Sequence, residues 1–302
     1  MTSASGERAA RVGLVTCAAL PHGDDDEALL ARELEKIGVK ARWLVWSRVD
    51  PGEVAGEFDA VVIRSPWDYP DRQAAFLDWV ETIEAPIFNE PSIVRWNSDK
   101  RYLLDLALAG VPTVATLAVE ASSALWEPPA DVEEFVVKPA IGAGSIGVGR
   151  YRHDEMPQAR SHVDDILRSG RAALVQPYLS SVDRGAETAM VFVDGEFTHA
   201  VSKGPMLRRD EPIELVSGLY VAEEIAPRAA TKRQLTIARQ ALGAVPEFTR
   251  GQVPLYARVD LVDDAKGEPM VLELELIEPS LFFRHAPGTA EAFGTAIARR
   301  LS

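Results

Sequence analysis

Apolar runs and helical periodicity alternate along the first third of the chain. Val12 to Thr16, Ala41 to Trp46 and Ala60 to Ile63 are largely apolar runs that predict strands, and Pro86 to Asn89 predicts a short fourth one. Asp24 to Glu27 open a helical pattern that reaches Ile37 and stops at Gly38, and Ala74 to Ile83 forms another. Acids favour a helix N-terminus and glycine its end. This alternation predicts an α/β unit with a mainly parallel sheet over residues 11–96.

Asn97 to Lys100 opens a further helix with Asn97 as its N-cap, ending at Gly110 ahead of Pro112. A smaller strand-rich region follows as far as Tyr178. Glu187 to Val193 and Glu196 to Val201 flank an Asp194-Gly195 turn, which predicts a hairpin. Thr231 to Leu242 reads as a helix. Tyr256 to Val262 and Met270 to Leu276 read as strands joined by the polar turn Asp263 to Gly267, and a last helix closes the chain. The fold class is α/β, α+β overall, in three parts: residues 11–96, 97–178 and 179–302. Met1 to Ala10 are mostly small or polar and predict a disordered tail.

Composition narrows the partners. The chain has 302 residues, with 32 Lys and Arg against 46 Asp and Glu, a formal net charge of −14. That balance argues against nucleic acid, whose phosphates are held by basic excess. No run approaches twenty apolar residues, so no membrane span is expected. The single cysteine, Cys17, excludes an internal disulfide and fits a reducing cytoplasm; its apolar setting predicts a buried thiol. A homodimer is compatible with all of this.

Two segments carry candidate chemistry. Phe135 to Val137 read as a strand that delivers Lys138, after which four glycines (Gly142, Gly144, Gly147, Gly149) alternate with small residues such as Ser145. Glycines let backbone N–H groups approach a ligand, and successive N–H groups form an anion nest. The loop is not a P-loop, and no helix pattern follows it as a dinucleotide fingerprint requires. It reads as a flap over polyphosphate, or else as a hairpin without a ligand. Near the C-terminus, Arg258 and Asp260 share one strand face, as do Glu273 and Glu275. If the strands pair, three carboxylates and an arginine meet. A divalent cation such as Mg²⁺, which prefers hard oxygen ligands, would relieve their repulsion. The alternative is a solvent-facing polar row.

The order of these features resembles the ATP-grasp superfamily of carboxylate–amine ligases. Lys100, Lys138, the glycine loop, Leu174 to Tyr178, Arg258-Val259-Asp260 and Glu273-Leu274-Glu275 follow one another as in that family, and the resemblance covers residues 12–285. It implies an ATP-grasp fold: an N-terminal parallel α/β domain, a linker helix and central lid carrying the flap, and a C-terminal domain with the metal site. It further implies that Lys100 and Lys138 bind ATP phosphates and that Gly142, Gly144, Ser145 and Gly147 close over them. Gln176, Pro177, Tyr178 and Leu179 would form the hinge against adenine, and Asp183 would bind the ribose. Asp260, Glu273 and Glu275 would hold Mg²⁺, with Mn²⁺ as a substitute, and Arg258 would stabilise the transferring phosphoryl group. The family usually has asparagine where Glu275 stands.

Lys203 is a candidate for phosphate or substrate, or a surface lysine. Glu187 either orders the hinge or begins an exposed strand. The stretches Arg64 to Tyr69, Arg95 to Lys100 and Leu274 to Phe282 are similar to a smaller group of single-substrate ligases that includes the cycloserine-forming cyclo-ligase acting on O-ureido-D-serine. That similarity adds Arg64, Trp67, Tyr69, Glu278 and Ser280 as substrate residues, although Trp67 suits a domain interface equally and Glu278 suits the rim. The implied reaction phosphorylates a small amino acid's carboxylate with ATP, and an amine of the same molecule then attacks. An intermolecular ligase, of dipeptide or glutathione type, and a nucleotide-binding regulator without turnover are the competing expectations.

Overall fold

Arg11–Thr16 (β1) is buried beyond its first residue, because helices cover both faces of the sheet it centres. The computed structural model describes residues 8–302 except 124, 131, 186, 208–214, 217–218 and 222–223. Residues 1–7 of the predicted tail lie outside these. The N-terminal unit continues with Glu27–Lys36 (α1), Lys40–Val45 (β2), Pro51–Glu57 (α2), Ala60–Ser65 (β3), Gln73–Thr82 (α3) and Ile87–Phe88 (β4). Its parallel sheet has the order β2-β1-β3-β4, so the winding reverses between β1 and β3. Open sheets offer a ligand crevice beyond the carboxyl ends of strands at such a reversal. Asp24 follows β1 and Trp67 and Tyr69 follow β3, which brings all three to that edge.

Asn97 does not cap a helix. It is the last residue of Pro91–Asn97 (α4), and the chain turns through Lys100 before Tyr102–Leu108 (α5). Its buried carboxamide donates to Leu274 O (2.8 Å) and accepts from Leu276 N (2.7 Å). One side chain that satisfies two buried backbone groups outweighs a cap that satisfies one.

The central part folds as Leu117–Val119 (β5), Glu134–Pro139 (β6), Gly149–Arg152 (β7), Met156–Arg168 (α6) and Ala173–Pro177 (β8), with antiparallel order β5-β8-β6-β7. The strand-rich expectation missed α6. Ala159, Val163 and Ile166 form its buried stripe, at the helical spacing that the sequence carries from Met156 to Leu167.

The C-terminal part contains Ser181–Gly185 (α7), Glu187–Val193 (β9), Glu196–Lys203 (β10), Leu215–Val216 (β11), Tyr220–Val221 (β12), Ile225–Arg228 (β13), Lys232–Phe248 (α8), Tyr256–Asp263 (β14), Pro269–Glu275 (β15) and Thr289–Leu301 (α9). Its antiparallel sheet runs β13-β10-β9-β14-β15. The β9–β10 turn is as expected, with Asp194 and Gly195 both left-handed (φ 51° and 81°). α8 starts at the Thr231 cap but passes the predicted end at Leu242, because Ala244 and Val245 continue its buried face. α9 returns to pack Phe293, Ala296 and Ile297 against Leu30 and Leu34 of α1, joining the first and last parts of the chain in one core. Among the described residues no helix is long and apolar enough to cross a membrane.

On β10, the Nδ1 of His199 meets both the Thr198 hydroxyl (3.0 Å) and the Thr289 hydroxyl (3.3 Å). Burial holds its pKa down to about 4. An unfolded histidine titrates near ~6.5, so on acidification the unfolded chain takes up the proton first. Stability present above that value is therefore lost as pH falls through the lower one. Urea midpoints measured across this window should decline, and His199→Gln should flatten the decline. Equal slopes in both proteins would show that His199 contributes nothing to it.

Candidate active site

A cavity of about 340 Å³ lies between the lid sheet, the C-terminal sheet and the crevice edge of the N-terminal unit. Its base follows from strand register. β14 and β15 pair with Asp260 opposite Glu273 and Arg258 opposite Glu275, so the two polar rows meet on one face. Arg258 forks both oxygens of Asp260 (Nε–Oδ1 2.8 Å, Nη2–Oδ2 2.9 Å) and pairs with Glu275. Lys203, at the end of β10, bridges Glu187 (2.8 Å) and Asp260 (3.2 Å). Lys100 pairs with Glu273 at 2.7 Å and donates to Gly142 O at 2.6 Å, which ties the flap to the base.

The charge state of these acids follows from their neighbours. Burial would raise Asp260, but Arg258 and Lys203 hold it well below the usual carboxylate range. Burial likewise opposes Lys100 and Lys138 at Glu273, and the two lysines hold it down to about 2. Glu275 is pushed up to about 8 by burial, with Glu273 and Asp260 adding to what Arg258 offsets. Glu187 rises to about 8 by burial, against the pull of Lys203. Carboxylate oxygens of Asp260, Glu273 and Glu275 lie within 4.8 Å of one another. Three hard donors that close suit Mg²⁺.

The lid supplies the opposite wall. Lys138 is buried on β6, and burial lowers its pKa. Among the described residues its ammonium has no hydrogen-bond or ion-pair partner. In the flap, Gly144, Ser145 and Gly147 are all left-handed (φ 61°, 60° and 70°). Gly142, Gly144 and Ser145 line the cavity, as do Gln176 to Leu179 at the end of β8 and Glu187 at the start of β9.

The far end holds the substrate candidates. Trp67, Tyr69, Glu278 and Ser280 line the cavity there. Trp67 Nε1 donates to Glu278 O at 3.0 Å, so Trp67 serves both the cavity and the domain interface. Burial lifts the Glu278 carboxyl to about 7, against the Tyr69 hydroxyl directed at it.

Three expected residues are placed elsewhere. Arg64 is not on the cavity wall: it is buried, pairs with Glu27 (2.9 and 2.6 Å) and donates to Pro279 O (3.0 Å). A carboxylate of this chain takes the guanidinium that was assigned to substrate. Asp183 is exposed outside the cavity and accepts from Tyr178 Oη at 2.6 Å. Gly147 is not among the residues that line the cavity. Asp260 stays in the base of the site, fully buried under Arg258 and Lys203. Asp24 is a lining residue that the sequence reading passed over as a helix-start acid. It is that too, because its Oδ1 accepts from the N–H groups of Asp26 (2.9 Å) and Glu27 (3.0 Å). The same sequence signal serves both roles and separates neither.

Comparisons with known proteins bear on the chain as a whole. Residues 12–89 match the family described as the D-cycloserine synthetase DcsG N-terminal domain. The cycloserine biosynthesis protein DcsG of Streptomyces lavendulae is 37% identical over 301 residues, 96% of this chain and 98% of that protein. The crystal structure of D-cycloserine synthetase DcsG aligns with a TM-score of 0.87 at 36% identity, over 97% of this chain and 100% of that one. In fold alone, D-alanine–D-alanine ligase from Bacillus anthracis is similar (TM-score 0.67, 14% identity, 97% of each chain). The fold and the near full-length relationship to DcsG place the chain among the ATP-dependent carbon–nitrogen ligases of the ATP-grasp class. Within that class, the chain belongs to the D-cycloserine synthetase DcsG family.

Proposed function

We propose that this ligase closes O-ureido-D-serine to D-cycloserine. ATP phosphorylates the substrate carboxylate, releasing ADP. The ureido nitrogen attached to oxygen attacks the acyl phosphate, its N–H proton leaves, and phosphate departs as the five-membered ring forms. One water then removes the carbamoyl group as carbamate, which yields carbon dioxide and ammonia. Because nucleophile and electrophile share one molecule, the protein has only to fold the substrate on itself; oriented intramolecular attack reaches effective molarities of roughly 10⁵–10⁸ M.

The observation that carries this reading is the near full-length relationship to a cycloserine biosynthesis protein. The charges on the cavity wall support it. Among the described residues, Glu187, Glu273 and Glu275 are ion-paired, whereas Asp24 and Glu278 are acids of the wall without an ion pair. They suit the ammonium of a small zwitterion, with Arg258 toward its carboxylate. Lys100 and Lys138 suit the ATP phosphates, the flap residues cover them, and the backbone of Gln176 to Leu179 suits the adenine edge. Asp260, Glu273 and Glu275 would hold Mg²⁺, which supplies charge neutralisation at the phosphates. Arg258 offsets charge that develops during transfer, and flap closure keeps the acyl phosphate from water. The buried Cys17 suits a reducing, cytoplasmic setting.

With Mg-ATP and O-ureido-D-serine as sole amine source, ADP and phosphate should appear together with cycloserine by mass spectrometry. AMP as product would remove the acyl-phosphate route. Turnover only after a separate amine is added would replace cyclisation by intermolecular ligation.

A further inference from the structure

β15 ends at Glu275, and the segment after it leaves the sheet while forming the cavity wall. Its carbonyls therefore need other donors. Five in a row receive them from side chains. Leu276 O accepts from Asn89 Nδ2 (2.8 Å). The Tyr256 hydroxyl places its one proton between Ile277 O (2.8 Å) and Ile63 O (2.6 Å). Glu278 O accepts from Trp67, Pro279 O from Arg64 Nη2 (3.0 Å) and Ser280 O from Arg258 Nη1 (3.3 Å). Beyond them, the N–H groups of Phe283 and Arg284 donate to Asp26.

We propose that Arg64 and Tyr256 are positioning residues for the amino-acid subsite. From behind the wall they hold the two carbonyls that flank Glu278, which turns its carboxylate and Ser280 toward the cavity. Both side chains are 1% exposed and neither lines the cavity, so they act through the backbone they hold. Arg64 is fitted to this because one guanidinium serves Glu27 and Pro279 O together, while its face covers the rings of Tyr256 and Phe293. A lysine ammonium keeps the charge against Glu27 but lacks the planar fork. The anchors come from β3 and the loop after it (Arg64, Trp67), the residue after β4 (Asn89) and β14 (Tyr256, Arg258), so the N-terminal unit and the neighbouring strand of the C-terminal sheet together shape the segment.

The inference rests on the substrate reading above, and its test separates the two. Arg64→Lys and Tyr256→Phe are compared with the parent protein by hydrogen exchange and by steady-state kinetics. Exchange should quicken in residues 276–284 and stay unchanged in the lid. The KM for O-ureido-D-serine should rise about tenfold, with the KM for ATP unmoved. A merely structural role would lower the active fraction and leave both KM values alone. Unchanged exchange in the segment overturns the inference even if the parent does not turn over this substrate, an outcome that would independently defeat the substrate reading. Quicker exchange with an unmoved substrate KM also overturns it. Tyr256→Phe removes a single oxygen and stands in for Arg64→Lys should the buried lysine not be tolerated.

Discussion

Arg258→Ala should lower turnover roughly 10²–10³-fold, the cost of removing one preorganised charge-stabilising donor. The guanidinium lines the cavity, grips Asp260 with two hydrogen bonds and pairs with Glu275. It is thus fixed before any substrate arrives and needs no reorganisation when charge develops. Removing it also strips a partner from two acids, and breaking a buried pair destabilises by about 3–5 kcal/mol. Asp260 keeps Lys203 at 3.2 Å, which limits the damage. Thermal melting must therefore accompany the rate measurement, and Arg258→Lys is the companion variant. It keeps the charge and loses the fork. A folded Arg258→Ala protein with near-normal kcat would show that the group holds the acids together and nothing more.

Glu273→Gln should abolish most of the response to metal while leaving the fold. The amide keeps the shape and an acceptor oxygen for Lys100, which sits 2.7 Å away. It removes one of three carboxylates whose oxygens lie within 4.8 Å. For the parent protein, saturating Mg-ATP at a hundred times its dissociation constant adds about 2.7 kcal/mol of stability by mass action. The variant should lose nearly all of the increment that Mg²⁺ adds over ATP alone. Turnover should fall at least about 10²-fold, beyond what weakening an outer-shell partner costs. Loss of the fold in the absence of ligand would instead mark Glu273 as structural. An undiminished Mg²⁺ increment would place the metal elsewhere.

The parts of this site that were legible in the sequence are those set by period and turn chemistry. Alternation along Tyr256 to Val262 and Met270 to Leu276 put Arg258, Asp260, Glu273 and Glu275 on shared faces, and the register confirms the pairing. The Asp194-Gly195 turn and the helix stop at Gly38 also followed from local sterics. Partner choice between distant segments was not legible. Arg64 and Asn97 carry polar groups that the sequence offers to any ligand or cap. Their partners, Glu27 and the backbone around Leu274, are chosen by how the units pack. Asp24 was hidden for the opposite reason, since its capping role explained it fully without a cavity. α6 was legible as well, since Met156, Ala159, Val163, Ile166 and Leu167 recur at helical spacing, but the strands on either side of it drew the whole region to a strand-rich reading.

Every acid of the base already has a cation of the chain beside it. Lys100, Lys203 and Arg258 are shared among Glu273, Glu187, Asp260 and Glu275, three cations to four acids, so the chain pairs this acidic face largely from its own side chains. Zinc-finger-like domains are the contrast, since their metal supplies the folding free energy. Here a cation would exchange with a partner already in place. Were Mg²⁺ to bind Glu273, Lys100 would be released toward the nucleotide's phosphates, which are anions able to receive it, while Arg258 keeps its place on Asp260 and Glu275. Metal and nucleotide thus each ease the other's arrival, and linkage makes that help equal in both directions. The Mg²⁺ increment over ATP alone, measured for Glu273→Gln, is a direct reading of that barter.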